Sequence, residues 1–271
     1  MPADLGRYAQ FVTEVVKRYA PLGVHEYALE NEVNAPGHWT GTPDQYVRLV
    51  TAGARAIHAA DPTAKVADGG LGSTVYGGIL AQQFLDQDRD ADAVAAYEHY
   101  YARRFSVRSE QLPEVSDGRG LRTVLASDQA VRNRQYYDAT VDLAKQGVID
   151  VFQLHFYEGW DQAAAVVALV HAAGPARMPV EAWEVGQFWP DAPSDPAVHA
   201  SETTKVVCAL FYGGVDRVIW LPLGYNPAGR NPTELRFGLL DPDGKMRPAA
   251  TALLALRHPD VACPREAGTH A

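Results

Sequence analysis

The chain has 271 residues, 47% of them hydrophobic and 21% charged, which is enough for one domain with a sizeable core. Its 33 acidic against 24 basic side chains leave a net charge of −9, which opposes a phosphate backbone and argues against nucleic acid as a partner. No apolar run is long enough to span a bilayer, so no membrane segment is expected. The N-terminus MPADLGRYAQF lacks a basic stretch followed by an apolar one, so no signal peptide is read there. As written the chain reads as cytoplasmic; it would read as secreted if a true N-terminus lay upstream. Two cysteines, Cys208 and Cys263, make neither a disulfide framework nor a zinc site. Cys208, in the apolar run TTKVVCALFY, reads as a buried small hydrophobe.

Strand-like and helix-like segments alternate, the pattern of an α/β protein with a parallel sheet. A first helix is expected from about Asp4 to Tyr19, where apolar residues recur at three and four and Pro21 and Gly23 end the run. A strand follows from about Val24 to Asn31, then a helix from Asp44 to Ala60 announced by Thr42-Pro43. A short strand, Lys65 to Ala67, runs into Asp68-Gly69-Gly70. The next connection is long and reads as an insertion at about 84–146, with helices near Ile79 to Phe105 and Asn133 to Gln146 around a loop SDGRGLR. Beyond it come strand Ile149 to His155, helix Gln162 to Ala173, strand Met178 to Glu184, helix Ser201 to Gly213, strand Asp216 to Leu221 and helix Pro248 to Leu256. The 259–271 tail reads as disordered. Five strand–helix units are thus expected after one unpaired helix, as one domain over 1–258.

Chemistry-bearing residues gather at the ends of the strands. The first expected strand closes on Glu30-Asn31-Glu32-Val33-Asn34, and the Met178–Glu184 strand closes on Glu184-Val185-Gly186. Carboxyl groups at the C-terminal tips of parallel strands face an active site, where a neighbouring amide can tune one as a general acid. Glu181 is a rival to Glu184, but three residues earlier on a strand it should point to the other face. Between the two glutamates lies Val151-Phe152-Gln153-Leu154-His155-Phe156-Tyr157. After them come Arg217-Val218-Ile219-Trp220 and a closing stretch, Phe237-Gly238-Leu239-Leu240-Asp241-Pro242-Asp243-Gly244-Lys245 with Arg247-Pro248-Ala249-Ala250.

Each of these segments is a weak signal alone. In this order they resemble clan A of the glycoside hydrolases, the retaining (β/α)₈-barrel glycosidases, with a flavour nearest to families 39 and 5. The typical Asn-Glu-Pro-Asn of that clan has Val33 in its proline place here. The resemblance implies a TIM-type barrel, Glu32 as acid/base and Glu184 as nucleophile. It also implies that Asn31 holds the sugar 2-hydroxyl, that His155 belongs to a His-x-Tyr segment whose Tyr157 bonds the nucleophile, and that Trp220 floors the sugar site. Trp39 and Trp160, with Trp189 and Tyr225, fall in loops after strands and are candidate stacking surfaces for sugar. The implied substrate is a carbohydrate, with no cofactor and no metal.

Two other patterns are weaker. His25, Glu26, Glu30, Glu32 and His38 lie close in sequence, but not at His-Glu-x-x-His spacing, and a strand would scatter them over two faces. Gly69-Gly70-Leu71-Gly72 follows a strand but lacks Gly-Lys-Ser/Thr, so it reads as a tight turn. In the clan, three strand–helix units precede the Asn-Glu motif, whereas here the motif begins at residue 31. The expectation is therefore a barrel lacking strands 1–3, with self-association through its exposed edges. The alternative to a glycosidase is a non-catalytic carbohydrate-binding or barrel-fragment protein that needs a partner to complete the barrel.

Overall fold

A computed structural model describes residues 1–104, 112–226, 236–257 and 263. Helix α1 (Leu5–Tyr19) begins where the Asp4 carboxylate accepts from the N–H groups of Gly6 and Arg7. Strand β1 (Glu26–Leu29) follows, then α2 (Pro43–Ala60), started by a capping box between Thr42 and Gln45. Strand β2 (Lys65–Asp68) leads into four consecutive helices: α3 (Thr74–Leu85), α4 (Asp90–Tyr101), α5 (Gly118–Leu125) and α6 (Asp128–Lys145). Strand β3 (Phe152–Phe156) and α7 (Ala163–Ala173) come next, then β4 (Val180–Val185), α8 (Pro196–Gly213), β5 (Arg217–Trp220) and α9 (Pro248–Ala255).

All strand pairs are parallel. β1 pairs with β2, and β3 pairs with β4, which pairs with β5. The two sheets meet at one backbone bridge, Ala67 to Val151. Carboxylates reinforce that seam: Asp150 accepts from the Val66 N–H at 2.8 Å and Asp68 from the Gln153 N–H at 2.6 Å. The strand order is thus β1-β2-β3-β4-β5, with helices packed outside. Phe152, Leu154 and Phe156 of the middle strand are fully buried, whereas Ala28 of β1 and Ile219 of β5 are exposed. The sheet does not close among the described residues, yet it curves strongly. Arg217, at the start of β5, ion-pairs with Glu26, at the start of β1, and with Glu181 of β4 at 3.1 Å.

The insertion holds more helix than its composition predicts. The expected single run near 79–105 breaks between Asp86 and Arg89, with Asp88 in the left-handed region, giving α3 and α4. The expected loop SDGRGLR instead starts α5, because the Asp117 carboxylate caps the Gly120 N–H at 2.7 Å. Most of the expected disordered tail lies outside the described residues. Cys263 is described, and it overturns the reading of the cysteines: Cys208 is buried as expected, but it is disulfide-bonded to Cys263 across 55 positions. The composition hid this pairing because it depends on the chain returning over α8, where the Tyr212 hydroxyl also donates to the Cys263 carbonyl. No helix among the described residues is long and apolar enough to cross a membrane.

Candidate active site

The C-terminal ends of β1, β2, β3 and β4 bring the chemistry together. After Leu29 the chain turns sharply, with Glu30 at φ 74° and Glu32 at φ 44°. Left-handed backbone is uncommon for non-glycine residues and clusters where surrounding structure enforces a functional geometry. Here the enforcement comes from the insertion. The Arg132 guanidinium on α6 donates to the carbonyls of Val33, Asn34 and Trp39, at 2.6–2.9 Å. Buried Asn34 accepts from the Gly72 N–H at 2.9 Å and donates to Asn133 at 3.1 Å.

Glu32 is held by two imidazoles. One carboxylate oxygen lies 3.0 Å from His155 Nδ1, the other 3.3 Å from His38 Nδ1. Burial pushes the Glu32 carboxyl up, but the hydrogen bond and charge of His155, helped by His38 and Arg104, outweigh it and hold it below the usual carboxylate range. Glu184 accepts from the Tyr157 hydroxyl at 2.8 Å and lies 3.8 Å from His155 Nδ1. The donor atoms of Glu32, His155 and Glu184 all lie within 4.8 Å of one another. Such a trio could also ligate a cation, but His155 Nδ1 is already engaged by Glu32 and one Glu184 oxygen by Tyr157.

Glycine makes two of these contacts achievable. A Cβ at Gly186 would lie 2.5 Å from the Leu221 carbonyl and 2.6 Å from the Tyr157 ring, so the residue after Glu184-Val185 has room for hydrogen only. At Gly70 a Cβ would sit 2.3 Å from His155 Nε2. Glu181 does not join the pair: it lies near the other end of β4 and is bound by Arg217 and by the Trp183 indole N–H at 2.7 Å. The register between β4 and β5 slips between Ala182 and Val185, next to Glu184, so simple alternation does not carry through to that residue.

The remaining expected positions scatter. Asn31 is exposed beside Glu32. Trp39 is 5% exposed and packs edge-on to Tyr46 in the core, which removes its faces from any sugar. Trp160 is half-buried beneath the Lys205 ammonium, 5.0 Å from its ring centroid. Trp220 is half-buried against the core and donates its indole N–H to the Phe237 carbonyl at 3.0 Å. Trp189 stacks on Phe237 and carries the Arg103 guanidinium 4.1 Å from its centroid, and Tyr225 lies under Arg247.

Sequence reasoning missed the support around the carboxylates. Glu158, wholly buried, takes Arg104 at 2.6 Å, and both bond Ser73, so the end of α4 is tied to the loop after β3. Asp68 and Gln153 lie beneath His155. The signals available were Asp68-Gly69-Gly70 and the second asparagine of the first motif; Arg104 had none. A separate cavity of about 110 Å³ between α3, α4, α5 and α6, lined partly by Tyr97, Tyr101 and Asn133, does not include the carboxylates.

Solved structures share this fold. The chain superposes on a GH39 β-xylosidase from Caulobacter crescentus with TM-score 0.56 and 17% identity, over 94% of this chain and 47% of the xylosidase. The fold is one that glycoside hydrolases use. An exo-β-1,4-mannosidase from an Opitutaceae bacterium, strain TAV5, matches with TM-score 0.56 and 16% identity, over 93% of this chain and 40% of its own. A glucosidase from Croceicoccus marinus matches with TM-score 0.56 and 17% identity, over 92% and 45%. The chain thus spans less than half the length of these three structures. Neither a protein-family model nor a curated protein sequence matches it.

Proposed function

We propose that this chain is a retaining glycoside hydrolase of the clan A type, its five units corresponding to strands 4–8 of a (β/α)₈ barrel. The observation that carries the reading is the approach of two carboxylates, within 4.8 Å, from the C-terminal ends of β1 and β4, one against an imidazole and the other against a tyrosine. Retaining hydrolysis needs a carboxyl separation of about 5–5.5 Å, whereas inversion needs about 6.5–9.5 Å to admit a water. Glu184 attacks the anomeric carbon as the bond to the leaving oxygen breaks, and Glu32 supplies that oxygen's proton. Glu32 then removes a proton from water, which displaces Glu184 and restores the original configuration. The Tyr157 hydroxyl keeps one Glu184 oxygen occupied and so leaves the other for attack. Asn31, exposed beside Glu32, is the proposed contact to the sugar 2-hydroxyl. The chemistry needs no cofactor.

A panel of aryl glycosides tests this, assayed with the wild-type chain and with Glu184→Gln. Cleavage of one glycoside with a retained anomer by NMR, and a loss of several orders of magnitude in the variant, is expected. An inverted product sinks the retaining mechanism. The open sheet favours one alternative: a carbohydrate-binding protein that requires a partner to complete the barrel. Sugar binding by folded chain without turnover would select it.

A further inference from the structure

Beneath the carboxylates runs a buried chain of hydrogen bonds with one consistent proton assignment. The Gln153 amide nitrogen lies 2.6 Å from the Asp68 main-chain carbonyl, and its amide oxygen lies 2.9 Å from His155 Nε2. A carbonyl oxygen only accepts, so the amide cannot be flipped, and the oxygen is the atom that faces the imidazole. That oxygen also only accepts, so His155 Nε2 carries a hydrogen. Gln153 is itself fixed, because its own N–H donates to the Asp68 carboxylate at 2.6 Å. Water does not compete: His155 is 1% exposed, Gln153 4% and Asp68 0%.

We infer that Gln153, locked by Asp68, is a positioning residue that fixes the His155 tautomer so that Nδ1 and Glu32 share a single proton. With Nε2–H fixed, the 3.0 Å contact from Nδ1 to Glu32 holds a proton in either of two forms. In one, a neutral imidazole accepts from the Glu32 carboxylic acid. In the other, an imidazolium donates to the Glu32 carboxylate. The charged groups facing this couple are Glu184 at 3.8 Å from Nδ1, His38 on the second Glu32 oxygen, Arg104 and Asp68. The second form reconciles a Glu32 carboxylate with a general-acid role. The single proton crosses from Nδ1 to Glu32, the Glu32–proton bond forming as the Nδ1–proton bond breaks, and Glu32 then gives that same proton to the leaving oxygen, which leaves Glu32 a carboxylate and His155 neutral. The competing neutral tautomer, with hydrogen on Nδ1 only, leaves Nε2 as a lone pair against the Gln153 oxygen.

The catalytic half of this inference rests on the proposed glycosidase reading; the tautomer half does not, and it is measured separately. Long-range ¹H–¹⁵N NMR of the imidazoles, from about pH 5 to 8, reads the protonated nitrogen of His155 directly. Wild-type protein is expected to keep Nε2–H throughout. Gln153→Met is expected to populate the Nδ1–H tautomer, and Gln153→Glu, which retains an acceptor, to preserve Nε2–H. A wild-type Nδ1–H tautomer, or no change in Gln153→Met, overturns the inference; the wild-type spectrum alone decides it if the variant does not fold. In turnover, Gln153→Met is expected to raise the rate ratio of 2,4-dinitrophenyl to 4-methylphenyl glycosides at least about tenfold, part of the 10²–10⁴ that general acid catalysis supplies. An unchanged ratio with a changed tautomer removes the catalytic half. An inactive wild type with the expected tautomers refutes the glycosidase reading and leaves the positioning role standing.

Discussion

Asp68 shows how one side chain can serve both sheet and site. Its carboxylate accepts from the Gln153 and Gly70 N–H groups across a seam where backbone pairing is reduced to a single bridge. Burial raises its pKa to about 7, against the lowering effect of those hydrogen bonds and of His155. The native state then binds this proton more tightly than the unfolded chain. Its contribution is favourable below the ordinary carboxylate pKa and is lost as pH climbs to about 7, a swing of roughly 4 kcal/mol at most. Asp68→Asn is expected to remove that slope. Relative to wild type, the variant should gain ground in thermal denaturation between pH 5 and pH 8, and an offset that is constant with pH would contradict the assignment. At the same scale, Glu32 and Glu184 were readable from strand-end motifs, because each precedes a turn with its own local chemistry. His38, Arg104 and Gln153 were not, since their roles depend on which atoms they meet across the fold.

At the scale of elements, the four helices between β2 and β3 form a wall of the site. Through Arg132, α6 fixes the turn bearing Glu32, and the end of α4 is anchored through Arg104 to Glu158. A buried ion pair of this kind costs about 3–5 kcal/mol when one partner alone is removed, because the other charge is left stranded. Sequence periodicity placed helix over most of α3, α4 and α6 but read the start of α5 as a loop, and it gave none of them a task, since a polar residue on a helix face reads as solvent-facing until its neighbour is known. The disulfide makes the opposite point: two cysteines 55 positions apart carry no local signal. Closing that loop stabilises the fold by about 4 kcal/mol in the chain-entropy limit. Reduction, or Cys208→Ala, is therefore expected to lower the denaturation midpoint clearly. A midpoint insensitive to reductant would mean the bond adds nothing.

For the molecule as a whole, the consequential feature is a curved sheet whose outer strands, β1 and β5, each pair on one side only among the described residues. Ile219, Leu221 and Leu223 are exposed along β5 and the segment after it, with Phe211 and Tyr212 at the end of α8. Near the other edge Leu22 and Val24 are exposed, 74% and 40%, with Phe11 on α1. Soluble proteins rarely leave strand edges and apolar side chains together in solvent, because such edges template pairing with another chain. We expect copies of this chain to associate as concentration rises, and Leu223→Lys to weaken that association in sedimentation equilibrium. A concentration-independent monomer would count against it.

The sequence by itself determined the alternation of strands and helices, the five units and the two strand-end glutamates, because these follow from periodicity, caps and turns within a few residues. It misjudged Cys208, whose partner lies 55 positions away, and undercounted the helices of the insertion, where the glycines of SDGRGLR read as a loop although Asp117 caps a helix there. Only the tertiary structure decided that Trp39 belongs to the core, that Glu181 binds Arg217 rather than joining Glu184, and that one imidazole joins Glu32 to Gln153 and Asp68. Such outcomes depend on strand register, sheet curvature and which hydrogen-bond donor meets which acceptor, and these are fixed only when distant segments pack.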